Sequence, residues 1–193
     1  MFLTDATASL RKLLQSALHG DETVFAGSLH HWTAQAADRP GGIGVFLHQI
    51  EEQAGGMAGD WQDVRDSGGR VVARRGPARR FQLSYILWAW SPHSPDDESD
   101  LLSRAMTLLA AHYHLPPWCL EGTLASGAAT RLTLAPEGGA ASGHLWSAAQ
   151  VPWRTTLHLA LTAELAPAEP AAIARNVEEL RLHTSTTPEP RRS

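Results

Sequence analysis

Two adjoining segments, Ser142-Gly-His-Leu-Trp-Ser-Ala-Ala149 and Trp153-Arg-Thr-Thr-Leu-His-Leu-Ala-Leu-Thr-Ala-Glu-Leu165, carry the strongest structural signal in the chain. The first begins with serine and continues as an apolar, tryptophan-containing turn, which predicts a brief helix from a Ser142 cap through Ala149. The second alternates apolar and polar residues over 155–165, as a strand with one buried face does. We expect its other face to meet water or another subunit; that face holds Thr156, His158, Thr162 and Glu164.

A second strand and helix are predicted upstream. Over residues 81–90 one face holds Phe81, Leu83, Tyr85, Leu87 and Ala89, and the other holds Gln82, Ser84, Ile86, Trp88 and Trp90. The second face is apolar only toward its end, so deeper burial is expected there. A helix should follow, because Ser94 is a favoured N-cap and Pro95 suits the first helical position. Its apolar stripe consists of Leu101, Leu102, Ala105, Leu108, Leu109, His112 and Tyr113.

The remaining patterns complete an α/β (α+β) fold. A helix is predicted over 3–19, ended by Gly20, and strands over 23–28 and 44–50. Two strand-like pieces, 120–125 and 130–134, flank Gly127 and predict a hairpin. We expect a single mixed or largely antiparallel sheet packed by two main helices. The domain should span 1–166, followed by a tail over 167–193 with a short helix at 171–183.

Residues 51–80 differ in composition from the rest of the chain. Glycines punctuate a mostly polar stretch, and its end is strongly basic, with Arg70, Arg74, Arg75, Arg79 and Arg80. Long segments of this kind inside a compact domain tend to be functional or disordered. The pattern predicts a protruding loop or hairpin arm that contacts a partner, with a solvated arm that has no partner as the alternative.

Composition narrows the class of protein. The 193 residues suit one domain, and an apolar fraction of 43% is enough for a real core. A formal charge of −4 gives no general reason to expect nucleic acid. Cys119 is the single cysteine, so no disulfide framework is expected. We find neither a signal-peptide pattern nor a membrane-spanning run, which predicts a soluble cytoplasmic protein with no membrane partner.

No motif for catalysis, metal or cofactor emerges. His112 and His114 lie two apart in the last turn of a predicted helix, and His30 and His31 are neighbours on a predicted strand, so neither pair points to one site. Cys119 follows two prolines and a tryptophan and suits a small buried thiol. The run Gly41-Gly-Ile-Gly44 precedes its strand and lacks the following Lys-Ser/Thr of a phosphate loop. We therefore predict a non-enzymatic protein without cofactors or metal.

The aromatic residues and the arginines point to protein contacts. Seven tryptophans exceed what a core of this size should bury, and tryptophan and arginine are enriched where protein surfaces bind one another. The predicted interface residues are the five arginines of the arm together with Trp88, Trp90, Trp146 and Trp153. The alternative is a small nucleic-acid-binding module, because aromatic side chains beside arginines also bind single strands.

Two stretches resemble a known family. Leu83–Met106 has a strand that ends in aromatic residues, a Ser-Pro turn, an acidic cap and a Leu-Leu-x-x-Ala-Met helix, and Leu145–Leu165 has Leu-Trp-Ser-Ala before a long alternating strand. Both resemble the cap or tail-terminator proteins of extracellular contractile injection systems, which are phage-tail-like particles. The resemblance covers roughly residues 1–166. Ala148-Ala149-Gln150 departs from the Leu-Gly type of turn expected there.

The resemblance implies an assembly role. A protein of this family is expected to form a homo-hexameric ring on the last ring of sheath and inner tube, in a particle assembled in the cytoplasm. An open tube end exposes apolar surface and free strand edges, and a terminator must cover them without offering the same surface again. Such a task needs complementary surfaces and no catalytic residue.

Overall fold

The computed structural model describes residues 1–29, 31–32, 40–53, 60–126, 129–134, 142–165 and 170–172. Its helices are α1 (Phe2–Gln15), α2 (Pro95–Ala110) and α3 (Ser142–Ala148), with 3-10 turns at Pro117–Cys119 and Gly122–Ser126. The strands, in chain order, are β1 (Thr23–Ala26), β2 (Gly42–Glu52), β3 (Gln62–Arg65), β4 (Val71–Arg75), β5 (Arg79–Trp90), β6 (Thr130–Leu134), β7 (Thr156–Leu165) and β8 (Ala171–Ala172).

The main sheet is mixed and has the order β1-β2-β5-β7-β6. Only β1 and β2 run parallel; the other neighbours are antiparallel. The predicted fold class, a mixed or largely antiparallel sheet with helices, is confirmed. The twelve-residue β5 lies at its centre because both of its faces are apolar near Trp90.

The first core lies between one face of this sheet and the helices α1 and α2. The alternation predicted for β5 is confirmed: Leu83, Tyr85, Leu87 and Ala89 are buried in this core with leucines of α1, α2 and β7. Burial raises the pKa of the Tyr85 hydroxyl, whose oxygen is 3.0 Å from Thr7 Oγ1. The predicted cap of α2 is also present, since Ser94 Oγ accepts from the N–H of Asp97 at 3.2 Å.

The second core lies on the opposite face of β5 and is built from tryptophans. Trp32, Trp88, Trp90 and Trp146 pack with Leu29, Ile86 and Val151. Trp88 makes T-shaped ring contacts with both Trp32 and Trp146, at centroid distances of 5.8 and 5.7 Å. Such edge-to-face pairs add about 0.5–1.5 kcal/mol to the burial of the rings.

Glycines in β2 make room for these indoles. Gly42 pairs with Trp90 and Gly44 with Trp88. A Cβ on Gly44 would lie 2.1 Å from Cε2 of Trp88, and one on Gly42 would lie 2.7 Å from the Trp90 ring. The Gly41–Gly44 run therefore lets the large rings of β5 lie across β2. This packing accounts for the glycines, and no nucleotide-binding role is needed to explain them.

Three sequence predictions are wrong in detail. Residues 120–125 form a 3-10 turn at Gly122–Ser126 in place of a strand, because the Asp5 carboxylate accepts from both the N–H and the hydroxyl of Thr123 at 2.9 Å. The predicted hairpin is therefore absent, and β6 pairs with β7. Helix α2 ends at Ala110, so the predicted apolar stripe does not extend to His112 and Tyr113. The backbone carbonyl of Tyr113 instead accepts from the N–H of Leu132 in β6, and the Tyr113 side chain is 77% exposed.

The arm is a hairpin, as one of the two predicted forms. Strands β3 and β4 pair antiparallel, and β8 adds to β4 to form a second small sheet that the sequence did not predict. Ala171–Ala172 is thus a strand, which corrects the start of the helix predicted over 171–183; the rest of that prediction lies outside the described residues. Backbone hydrogen bonds between β8 and β4 join residues 171–172 to the arm, and any small side chain permits this pairing.

Candidate assembly surfaces

The hairpin arm presents arginines with and without partners. Asp63 is shared by two of them, with Arg74 Nε at 3.1 Å and Arg65 Nη2 at 3.4 Å. Asp66 Oδ1 accepts the N–H groups of Gly68 and Arg70 and so fixes the turn. Across the ranges that the structure covers, the side chains of Arg70 and Arg75 have no acidic partner, and both are exposed. These two carry the arm's free positive charge.

The other two predicted arginines of this region fasten the base of the arm to the main sheet. Arg79 donates to Glu52 at 2.6 Å, and this guanidinium lowers the pKa of the Glu52 carboxyl. Arg80 pairs with Glu164 of β7 at 2.7 Å. Much of the basic charge counted in the sequence is therefore neutralised locally, which reduces the surface that a nucleic acid would need.

The predicted interface tryptophans fall into two groups. Trp88, Trp90 and Trp146 are buried in the second core, so they offer no surface to a partner; the expectation of a surface role is corrected for these three. The reason is the pair of glycines in β2, which creates space that composition alone did not reveal. Trp153 is 69% exposed. Trp61, which precedes β3, and Trp118 are exposed as well, and the sequence prediction missed them as surface candidates.

An acidic cleft of about 930 Å³ lies at the end of the sheet opposite the arm. It is formed where α1 ends, where β2 begins, where β5 ends and along α2. Its charged lining consists of Asp21, Glu22, Asp97, Asp100 and Arg104, which gives a net charge of −3. Sequence analysis did not predict this cleft, since residues this far apart along the chain give no sign of converging.

Some of the cleft's carboxylates are engaged and others are free. Arg104 pairs with Glu22 at 2.7 Å and also donates to the carbonyl of Ala17, and this guanidinium lowers the pKa of Glu22. Asp97 accepts from the hydroxyl of Ser91 at 3.1 Å. Asp21 and Asp100 are exposed and have no partner within the described part of the chain. The cleft thus holds uncompensated negative charge.

One arginine joins the two cores behind this cleft. Arg154 pairs with Glu98 in the first turn of α2, and its guanidinium carbon lies 4.9 Å from the ring centroid of Trp32. It also donates to the carbonyl of Ala89 at 3.4 Å. The side chain therefore links α2, β5 and the tryptophan core, and it serves the fold.

Chemistry-bearing groups are scattered. Among the residues with described positions, no three His, Cys, Asp or Glu side chains are placed to hold one metal ion. Cys119 is buried, and burial raises the pKa of its thiol. His48 and His158 face each other on the sheet, with ring centroids 6.3 Å apart, and burial followed by the charge of His158 lowers the pKa of His48. Within the described ranges, no helix is both long and apolar enough to span a membrane.

Comparisons with known proteins identify the fold. A family model described as the Pvc16 N-terminal domain matches residues 5–179. The chain is similar to the sheath/tube terminator of the extracellular contractile injection system PVC in its extended state, with a TM-score of 0.62 and 15% identity over 96% of this chain and 65% of that one. It is also similar to the tube-terminating cap of the anti-feeding prophage, with a TM-score of 0.64 and 17% identity over 94% of this chain and 61% of that one.

These matches confirm the family resemblance that was noted in the sequence. At such identities the structural likeness establishes the fold. The chain spans less than two thirds of the length of either solved chain. A search among curated proteins finds no match.

Proposed function

Because the chain belongs to the Pvc16 N-terminal domain family, we propose that it is a structural cap that binds the distal end of the sheath and inner tube of a contractile injection system. It ends polymerisation there and stabilises the particle. Six copies form the ring, and the particle is assembled in the cytoplasm. The observation that carries the proposal is the shared fold with a sheath/tube terminator and a tube-terminating cap over almost the whole of this chain.

The physical task matches what the molecule offers. A growing tube ends in unsatisfied apolar surface and free strand edges, and a cap must bind that end while presenting a different outer face. Exposed aromatic side chains at Trp61, Trp118 and Trp153 supply contact area, and the arm supplies two unpaired arginines. Tryptophan and arginine are the residue types that dominate binding energy at interfaces.

The proposed role requires no catalysis. The cleft's lining combines acids, one arginine and two histidines with three hydroxyl side chains, Ser91, Ser103 and Thr107. The Ser91 hydroxyl donates to Asp97 and accepts from the backbone N–H of His93, and within the described ranges no histidine side chain is paired with it as a general base. The buried Cys119 thiol, with its raised pKa, is a poor nucleophile. We therefore assign the chain a structural function and no enzymatic one.

Deletion of the gene tests the proposal. We expect particles without the chain to have tubes of irregular and often excessive length, or to fall apart, because nothing closes the growing end. Electron microscopy of purified particles measures the lengths. Supplying the gene in trans should restore a uniform length. Particles of unchanged length and stability in the deletion strain would refute the proposed function.

A further inference from the structure

We propose that the hairpin arm of one copy docks into the acidic cleft of the next copy, and that this head-to-tail contact, repeated, closes the ring. The inference rests on the ring assigned in the proposed function and names the two surfaces that build it. The occupant of the cleft is a second copy of this chain. Four observations carry the inference: the placement of the two surfaces, their charges, their apolar side chains and the type of symmetry that they allow.

The arm and the cleft lie at opposite ends of one long ladder. Gly42 pairs with Trp90 beside the cleft, and Glu52 pairs with Phe81 at the base of the arm. Eleven residues of β2 separate the two ends, which is about 35 Å at 3.3 Å per residue. Pairing of β8 with β4 holds the arm on its own side. The arm therefore cannot reach its own cleft, and only another molecule can bring the two together.

The charges of the two surfaces are complementary. Arg79 and Arg80 are paired with Glu52 and Glu164, and the rest of the arm, residues 60–75, contains four arginines and three aspartates, a net charge of +1 in a chain of net charge −4. Of these arginines, Arg70 and Arg75 are exposed and unpaired within the described ranges. In the cleft, Asp21 and Asp100 are the exposed, unpaired acids. Two free cations thus match two free anions, and complementary charge of this kind sets the orientation and register of an interface.

Apolar side chains accompany the charges on both surfaces. On the arm, Trp61 is 58% exposed and Val72 is 44% exposed. The cleft includes Ala17, Pro40, Leu101 and Leu108 in its lining. An exposed tryptophan that enters an apolar cleft between charged groups is the usual form of an interface hot spot.

A contact between two different surfaces has a direct consequence for symmetry. Such a heterologous contact adds one copy after another in the same sense, and it gives a ring when the rotation between copies closes. In a closed ring every arm and every cleft is occupied. No basic arm then remains to recruit a further copy at the side, so the contact fixes the number of copies in the ring.

Charge exchange tests the inference with purified full-length chain. One variant reverses the arm (Arg70→Glu with Arg75→Glu) and a second reverses the cleft (Asp21→Arg with Asp100→Arg). All four side chains are exposed and have no partner among the described residues, so the fold should be retained; circular dichroism and thermal melting verify this. A matched control, Arg11→Glu with Arg131→Glu, changes the net charge as much as the arm variant does, at exposed positions outside both surfaces.

Sedimentation velocity at 50 mM salt gives the readout. Wild type and control should form rings, and each variant alone should self-associate at least about 100-fold more weakly. An equimolar mixture of the two variants should regain the ring, because acidic arms then meet basic clefts while basic arms meet acidic clefts. Raising the salt to 500 mM should weaken every ring, since screening shortens the range of these attractions.

Several outcomes would overturn the inference. The inference is wrong if the wild type stays monomeric at all concentrations, if the variants assemble as well as the wild type, or if their mixture does not regain the ring. If the arm contact is lost while tube lengths in the particle stay normal, only this inference is refuted. Rings that form as expected while deletion of the gene leaves tube length unchanged would refute only the proposed function.

Discussion

Substitution of Gly44 by alanine is expected to destabilise the chain by about 3 kcal/mol or more, at the upper end for overpacking of a core. The new Cβ would lie 2.1 Å from Cε2 of Trp88, whose ring is fully buried and held by Trp32 and Trp146. Urea denaturation followed by tryptophan fluorescence measures the loss, and a chain that fails to fold on expression would be the extreme form of the same result.

Two further variants separate this clash from the general effect of alanine at a glycine position. Gly68→Ala places a Cβ 3.3 Å from Asp66 Oδ1 in the exposed arm and should change the free energy of unfolding by less than about 1 kcal/mol. In a chain that already carries Trp88→Leu, Gly44→Ala should cost much less than it does in the wild type, because the clashing ring is absent. A stability of Gly44→Ala equal to that of wild type would show that Trp88 does not lie across β2.

Trp146→Ala should lower the free energy of unfolding by about 3–5 kcal/mol. The side chain is 1% exposed and fixes the short helix α3 to the outer face of the sheet through Trp88. Within the described ranges its indole N–H has no hydrogen-bond partner, so the loss comes from packing and the cavity. Thermal and chemical denaturation give the magnitude, and circular dichroism should show that the first core stays folded at low temperature.

Trp153→Ala is the matched control, because it also replaces a tryptophan by alanine at a position only a few residues further along the chain. Trp153 is 69% exposed, and its removal should change stability by no more than about 0.5 kcal/mol. Any effect of this variant on ring formation or on tube binding would then report its contact with a partner. Equal destabilisation by Trp146→Ala and Trp153→Ala would contradict the assignment of one to the core and the other to the surface.

Much of the fold was predictable because periodicity directly reflects burial. The alternation in β5 and β7 assigned residues to the correct faces, and Ser94-Pro95 marked the start of α2, since these signals depend on neighbours within a few residues. Residues 120–125 were wrongly predicted as a strand. The Asp5 carboxylate that holds them in a 3-10 turn lies 118 residues away from Thr123 along the chain, so local sequence gives no sign of it. Strand β8 was missed for the same reason, as its pairing with β4 is entirely non-local.

The candidate surfaces were predictable only in part. The density of arginine and glycine located the arm, but the acids that neutralise Arg79 and Arg80 are 27 and 84 residues distant. Counting charges therefore overstated the free positive charge. The tryptophans were judged from the apparent size of one core, whereas Gly42 and Gly44 open a second core on the other face of the sheet. The acidic cleft escaped notice because it draws residues from four elements.

The location of the chain within an intact particle tests the terminator role most directly. Cryo-electron microscopy of particles that carry a tagged copy should show a single six-fold ring at one end, the end distal to the baseplate, in contact with the last ring of tube or sheath. Tagged density along the shaft, at the baseplate, or nowhere in the particle would contradict that role.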